Sequence, residues 1–278
     1  MNLIGAHVSI AGGVVQAPLR AHQEGCETFQ CFTRSPQGGP APILTPDIVS
    51  EFKKNMANAK MDRFVIHAPY YINLASLDNR IRHSSVTVIR QELERGTVLG
   101  AQYVMFHPGS YANQTLEEAT KTVQKAMERI LDGYNGTCQL LVEISAGAGN
   151  VMGDTFEEVA AMIEPVRTHP GLGGVCFDTC HAFASGYDFR TPALAREMLD
   201  AFDKVIGLDL LKISHVQDSK TDLGGKKDRH EHIGQGFIGK EGLETLLKTP
   251  EFAAIDWFLE TESEGRPEDL RILKQIRA

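Results

Sequence analysis

Short apolar runs in this chain end repeatedly on a residue able to bind a metal ion. FVIH ends at His67, YVMFH at His107, LLVE at Glu143, VCFD at Asp178, LLKISH at His215 and WFLE at Glu260. Successive ends are 40, 36, 35, 37 and 45 residues apart. A strand with its returning helix takes about that length in parallel α/β architecture. The pattern therefore predicts a barrel or open sheet whose strand ends aim His, Asp and Glu at one place. Imidazoles and carboxylates converging at strand C-termini are how such folds build a polynuclear metal site.

Two further apolar stretches, 3–9 and 28–33, bring the strand count to eight. Helix-period segments lie between them. Thr45-Pro46 and Thr191-Pro192 each set an N-cap before a first-turn proline, and Thr115 with Glu118 and Thr155 with Glu158 read as capping boxes. Ile81, Val88, Ile89 and Leu93 give 79–99 a helical spacing, and 240–248 and 267–277 supply the last two helices. Pro18 falls inside the first helical candidate. Strict alternation without a linker predicts one (β/α)8 TIM barrel over 1–278, with its functional loops after the strands.

The N-terminus lacks a basic region ahead of an apolar core, so no signal peptide is expected, and no run approaches the length of a membrane span. Five cysteines without a CxxC pair suit a reducing compartment, which makes the cytoplasm the expected location.

A lone strand histidine is more often packed than ligating. Six ligand-type residues at six strand ends are different, because each would need its own buried partner unless metal satisfies them together. Two local pairs extend the set. Asp178 and His181 lie three residues apart at a strand end, and Asp228 and His230 share one face of an extended segment. His7 is expected to support the cleft rather than ligate. His22, His83 and His169 read as surface residues, and only one of His230 and His232 need bind.

The motifs GAHVSIAGG (5–13), HAPYYINLAS (67–76), HPGS (107–110), EISAG (143–147), FDTCHAFASGYDFRTP (177–192), HVQDSK (215–220), DRHEHIGQGFIG (228–239) and LETE (259–262) together resemble the endonuclease IV family. These are zinc-dependent apurinic/apyrimidinic (AP) endonucleases, of deoxyribonuclease IV type, that act in DNA base-excision repair. The resemblance covers nearly the whole chain. It implies a TIM barrel carrying three zinc ions, manganese being an alternative at one position. His67, His107 and Glu143 would hold the first ion. Glu143 would bridge to the second, completed by Asp178, His215 and Glu260. His181, Asp228 and His230 would hold the third. Glu143 would thereby be the catalytic carboxylate, with a hydroxide between the first two ions as nucleophile and the third ion steadying the departing 3′ oxygen. The expected partner is duplex DNA containing an abasic site, cut on its 5′ side to leave a 3′-hydroxyl by a monomeric enzyme.

Tyr70 and Gln37 would meet the DNA at the lesion. The resemblance also exposes departures. Ile144 and Ser145 replace an asparagine and a threonine, and Gln37 and Gly39 stand where an arginine and a tryptophan are usual. The formal charge of −8 speaks against a nucleic-acid partner at first sight. Three divalent ions would add +6 and leave −2, with positive charge focused in one cleft. Two other readings compete: a metal-dependent sugar isomerase of the same barrel superfamily, and a DNA-binding barrel that has lost its chemistry. The His181, Asp228 and His230 set argues against the first, and the intact ligand positions argue against the second.

Overall fold

The computed structural model describes residues 2–278. Its strands are β1 Ile4–His7, β2 Thr28–Cys31, β3 Val65–His67, β4 Tyr103–Phe106, β5 Gln139–Glu143, β6 Leu172–Asp178, β7 Leu211–His215, the short β8 Asp218–Ser219 and β9 His230–Glu231, and β10 Asp256–Leu259. Eight of them close into a barrel in the order β1-β10-β7-β6-β5-β4-β3-β2, and every pairing in it is parallel. This is the (β/α)8 TIM barrel that the spacing of the apolar runs predicts. The remaining two strands, β8 and β9, pair antiparallel above the barrel, with Ser219 opposite His230.

The main helices are α1 Ala17–Gln23, α2 Pro46–Asn58, α3 Asn79–Leu99, α4 Leu116–Leu131, α5 Phe156–Ile163, α6 Thr179–Ser185, α7 Pro192–Val205, α8 Gly239–Leu247, α9 Pro250–Ala253 and α10 Arg266–Arg277. Thr45, Thr115, Thr155 and Thr191 all cap helices through their side chains. Thr115 makes the full reciprocal box with Glu118. At Thr155 only half of it forms, because the Glu158 carboxylate accepts from Gly153 N at 2.8 Å instead. Pro18 sits in the first turn of α1, where its missing N–H costs no helical bond, so it starts that helix rather than interrupting it. Ile81, which the periodicity places on the buried face of α3, is exposed. No helix among the described residues is long and apolar enough to cross a membrane.

Two apolar layers hold the barrel. One lies between strands and helices. The other fills the lumen with Val65, Met105, Leu141, Cys176, Ile213 and Phe258, one from each of six strands. Side chains on a strand return to the same face every second residue. Two residues beyond those six stand His67, His107, Glu143, Asp178, His215 and Glu260. The ligand-type residues are thus the next layer of the lumen, resting on an apolar floor. β1 and β2 complete the ring with His7 and Gln30, which are register partners. Gly174 allows β6 to fit this geometry. Its φ is +145°, and a Cβ there would lie 2.1 Å from the Leu210 carbonyl oxygen.

Candidate metal centre

His67, Glu143, Asp178 and His215 are fully buried, and burial of such groups is costly unless each finds a partner. Glu143 stands at the middle of the ring and divides its two oxygens. Oε2 faces His107 Nε2 at 3.3 Å and His67 Nε2 at 3.5 Å, whereas Oε1 faces His215 Nδ1 at 2.8 Å. His67 Nδ1 bonds to the carbonyl oxygen of Ala68, which leaves Nε2 bare toward the ring. His67 Nε2 and Glu143 Oε2 are both buried without a hydrogen-bond partner. Buried atoms of this kind are almost always satisfied, and two that face one another across a non-bonding gap mark a place for a shared cation.

A second group lies around His215 Nδ1. Glu260 Oε2 is 3.4 Å away and Asp178 Oδ2 is 3.7 Å away, in addition to Glu143 Oε1. The third group is the most regular. His181 Nε2 and Asp228 Oδ1 are 3.3 Å apart, His230 Nε2 and Asp228 Oδ1 3.2 Å, and the two histidine nitrogens 3.4 Å. Ligand atoms about 2.0–2.1 Å from a tetrahedral zinc stand roughly 3.3 Å from one another. Three near-equal edges of that length are the outline of such a site. The buried His, Asp and Glu groups are compatible with metal binding, and their residue types suit zinc.

α6 explains the spacing of Asp178 and His181. Asp178 Oδ1 accepts from His181 N at 2.8 Å and so caps the helix, leaving Oδ2 for the ring. His181 Nδ1 bonds to the Ile144 carbonyl oxygen at 2.9 Å, which turns Nε2 toward Asp228 and His230. The loop bearing those two residues docks on the far end of α6, where Gly224 N and Lys226 N donate to the carbonyl oxygens of Phe183 and Ala184. Ala184 O is an end carbonyl of the helix, and Phe183 O accepts from the C-cap Gly186 N as well.

Electrostatics follows the geometry. Burial disfavours charge on His181 and His215; Asp178, Asp228 and Glu143 outweigh it at His181, and Cys176, Glu143 and Glu260 at His215, so both stand well above the ordinary histidine range. Burial likewise opposes ionisation of Glu143, and His107 and His215 outweigh it and keep the carboxylate well below its usual range. His107 is pushed down to about 4, by burial first and then by neighbouring histidines. Cys176 and Cys180 also come within reach of ligand-type groups. Burial pushes both thiols up to about 12.

The structure brings together all nine residues named from sequence. Tyr70 lies beside them, exposed, with its ring 5.3 Å from those of His67 and Phe32. Tyr70 and Tyr71 border a cavity of about 430 Å³ that reaches His107, His181 and Asp228. Gln37 is exposed on the loop after β2. Gly39 has φ +97°, a conformation that L side chains rarely adopt. His7 lies beside Glu260, Nδ1 to Oε1 at 3.6 Å, and His232 turns away to pair with Asp269 at 2.7 Å. Two buried amides escape a reading of the sequence. Gln30 bonds to His215 and Glu260, and Gln217 donates to Asp178 Oδ2 and accepts from Glu260 N at 3.3 Å.

Residues 19–277 match the family described as the xylose isomerase-like TIM barrel, which sets the class of the molecule. Within it, the chain is 36% identical over 275 residues to a protein of Halothermothrix orenii named probable endonuclease 4, with 99% of each covered. It is 37% identical over 280 residues to the Aquifex aeolicus protein of the same name, covering 99% of this chain and 98% of that one. The crystal structure of endonuclease IV from Thermus thermophilus superposes with a TM-score of 0.84 at 35% identity, covering 99% and 98% of the two chains. The chain belongs to the endonuclease IV family. A D-tagatose 3-epimerase-like protein, at 21% identity and a TM-score of 0.76, shares the fold.

Proposed function

We propose that this chain is a metal-dependent DNA-repair endonuclease that hydrolyses the phosphodiester 5′ to an abasic site in duplex DNA and leaves a 3′-hydroxyl. The observation that carries this reading is the division of Glu143 between two ligand groups beside a third, near-equilateral one. His67, His107 and Glu143 would hold one divalent ion. Glu143, Asp178, His215 and Glu260 would hold a second, and His181, Asp228 and His230 would hold a third. Bound there, the ions supply Lewis-acid neutralisation of phosphate charge and lower the pKa of the attacking water.

The protein's own part is placement. Glu143 would set the separation of the first two positions, because its two oxygens face different ligand groups. The apolar floor beneath the ring excludes water from below, so substrate approaches from the strand ends. Tyr70 stands at that approach with an exposed ring suited to stacking at a gap in the duplex, and Gln37 on the neighbouring loop offers hydrogen bonds to a base edge. A sugar isomerase on this fold has no use for the separate triangle of His181, Asp228 and His230. Incubation with a duplex carrying one abasic site, followed by analysis of the product ends, tests the proposal. A single cut 5′ to the lesion with a 3′-hydroxyl is expected, and an intact strand or a cut on the 3′ side overturns it.

A further inference from the structure

Gln30 is buried at the β1–β2 seam, and its amide reaches three members of the ring at once. Oε1 accepts from His215 Nε2 at 2.8 Å. Nε2 donates to Glu260 Oε1 at 2.6 Å and to His7 Nδ1 at 2.9 Å. The orientation is dictated by the partners. Reversing the amide would set its oxygen against the Glu260 carboxylate, where two acceptors repel.

We infer that Gln30 is a positioning residue for the second metal position, an inference that rests on the metal-centre reading above. The imidazole of His215 has two nitrogens, and only one can face the ligand group. With the Gln30 oxygen holding the proton on Nε2, Nδ1 is left to face Glu143, Asp178 and Glu260. The same amide engages Glu260 Oε1, which turns Oε2 to the same point. One neutral side chain therefore sets a tautomer and a carboxylate rotamer together. His67 and His181 have their other nitrogens bonded to the carbonyl oxygens of Ala68 and Ile144. Those acceptors belong to the backbone and cannot be substituted. His215 presents the opposite nitrogen, and its acceptor is a side chain.

The test uses the full chain loaded with zinc, with chelator competition reading affinity and ring ¹⁵N NMR reading the His215 tautomer. Gln30→Met keeps the length of the side chain and removes the amide. Gln30→Glu keeps an acceptor for His215 but sets a second carboxylate against Glu260. We expect zinc-loaded wild-type protein to carry its His215 proton on Nε2. In Gln30→Met one ion is bound about ten- to hundredfold more weakly, as other supporting hydrogen bonds around metals would suggest, while the others keep their affinity. Gln30→Glu weakens the same ion yet retains the Nε2–H signature. Unchanged affinity in Gln30→Met, or a wild-type His215 protonated on Nδ1 with zinc bound, overturns the inference alone. Wild-type protein that takes up no zinc overturns the metal-centre reading and this inference with it.

Discussion

Glu143 carries more of this site than any other residue, because each of its oxygens faces a different group of ligands. Glu143→Gln replaces one oxygen by an amide nitrogen that cannot ligate, so it weakens two positions in one step. Cleavage of abasic duplex is expected to fall by several orders of magnitude while circular dichroism reports a folded protein. Near-normal cleavage would show that the carboxylate does not bridge. Tyr70 makes a separate case. Base stacking on an aromatic ring is worth roughly 1–3 kcal/mol, and the neighbouring loop has Gln37 and Gly39 where a larger pair is usual, so this ring has little help. Tyr70→Ala is expected to weaken binding of abasic duplex about tenfold or more, and Gln37→Arg to tighten it, both read by fluorescence anisotropy. An unchanged affinity in Tyr70→Ala would remove Tyr70 from the interface. Gly39→Trp is a poorer repair, because the +97° φ at that position strains any side chain even though the space around it is open.

Among the elements, α6 and α3 bear most directly on the site. α6 carries His181 at its start and docks the loop bearing Asp228 and His230 at its end, so the third ligand group is organised by one short helix. α3 anchors the loop after β2. Its fully buried Glu92 accepts from Arg34 Nε and Thr33 Oγ1, each at 2.6 Å, and Arg95 lies 3.8 Å away. Removing one member of a buried pair typically costs about 3–5 kcal/mol. Glu92→Gln is expected to destabilise the protein by that order in urea unfolding at fixed zinc concentration, and a loss under about 1 kcal/mol would show that the cluster relaxes without it. The Glu92 cluster was not legible in the sequence. Glu92 lies 58 residues from Arg34 and reads as one more charge on a helix. The strand-end ligands were legible because a period of two places them one layer above an apolar floor, which is a local rule. Gln30 escaped because its partner His215 is 185 residues away and a glutamine between apolar neighbours carries no signature of its own. Pro18 misled for the opposite reason: a proline reads as a break unless the start of its helix is already known.

At the scale of the whole molecule, the net charge of −8 has to be reconciled with a polyanionic partner. Exposed Lys227 and Arg229 flank Asp228 beside the cleft, and bound cations would add to that local positive field. Affinity for abasic duplex is therefore expected to fall steeply as salt rises, with Lys227→Glu flattening the slope. A salt-independent affinity would instead favour a small neutral substrate. The account rests above all on nine side chains from separate strand ends and loops holding divalent ions together. Elemental analysis of protein purified without chelator tests that most directly. About three ions per chain, chiefly zinc, are expected from the ligand types and their grouping. One ion or none would contradict the trinuclear centre and the mechanism built on it.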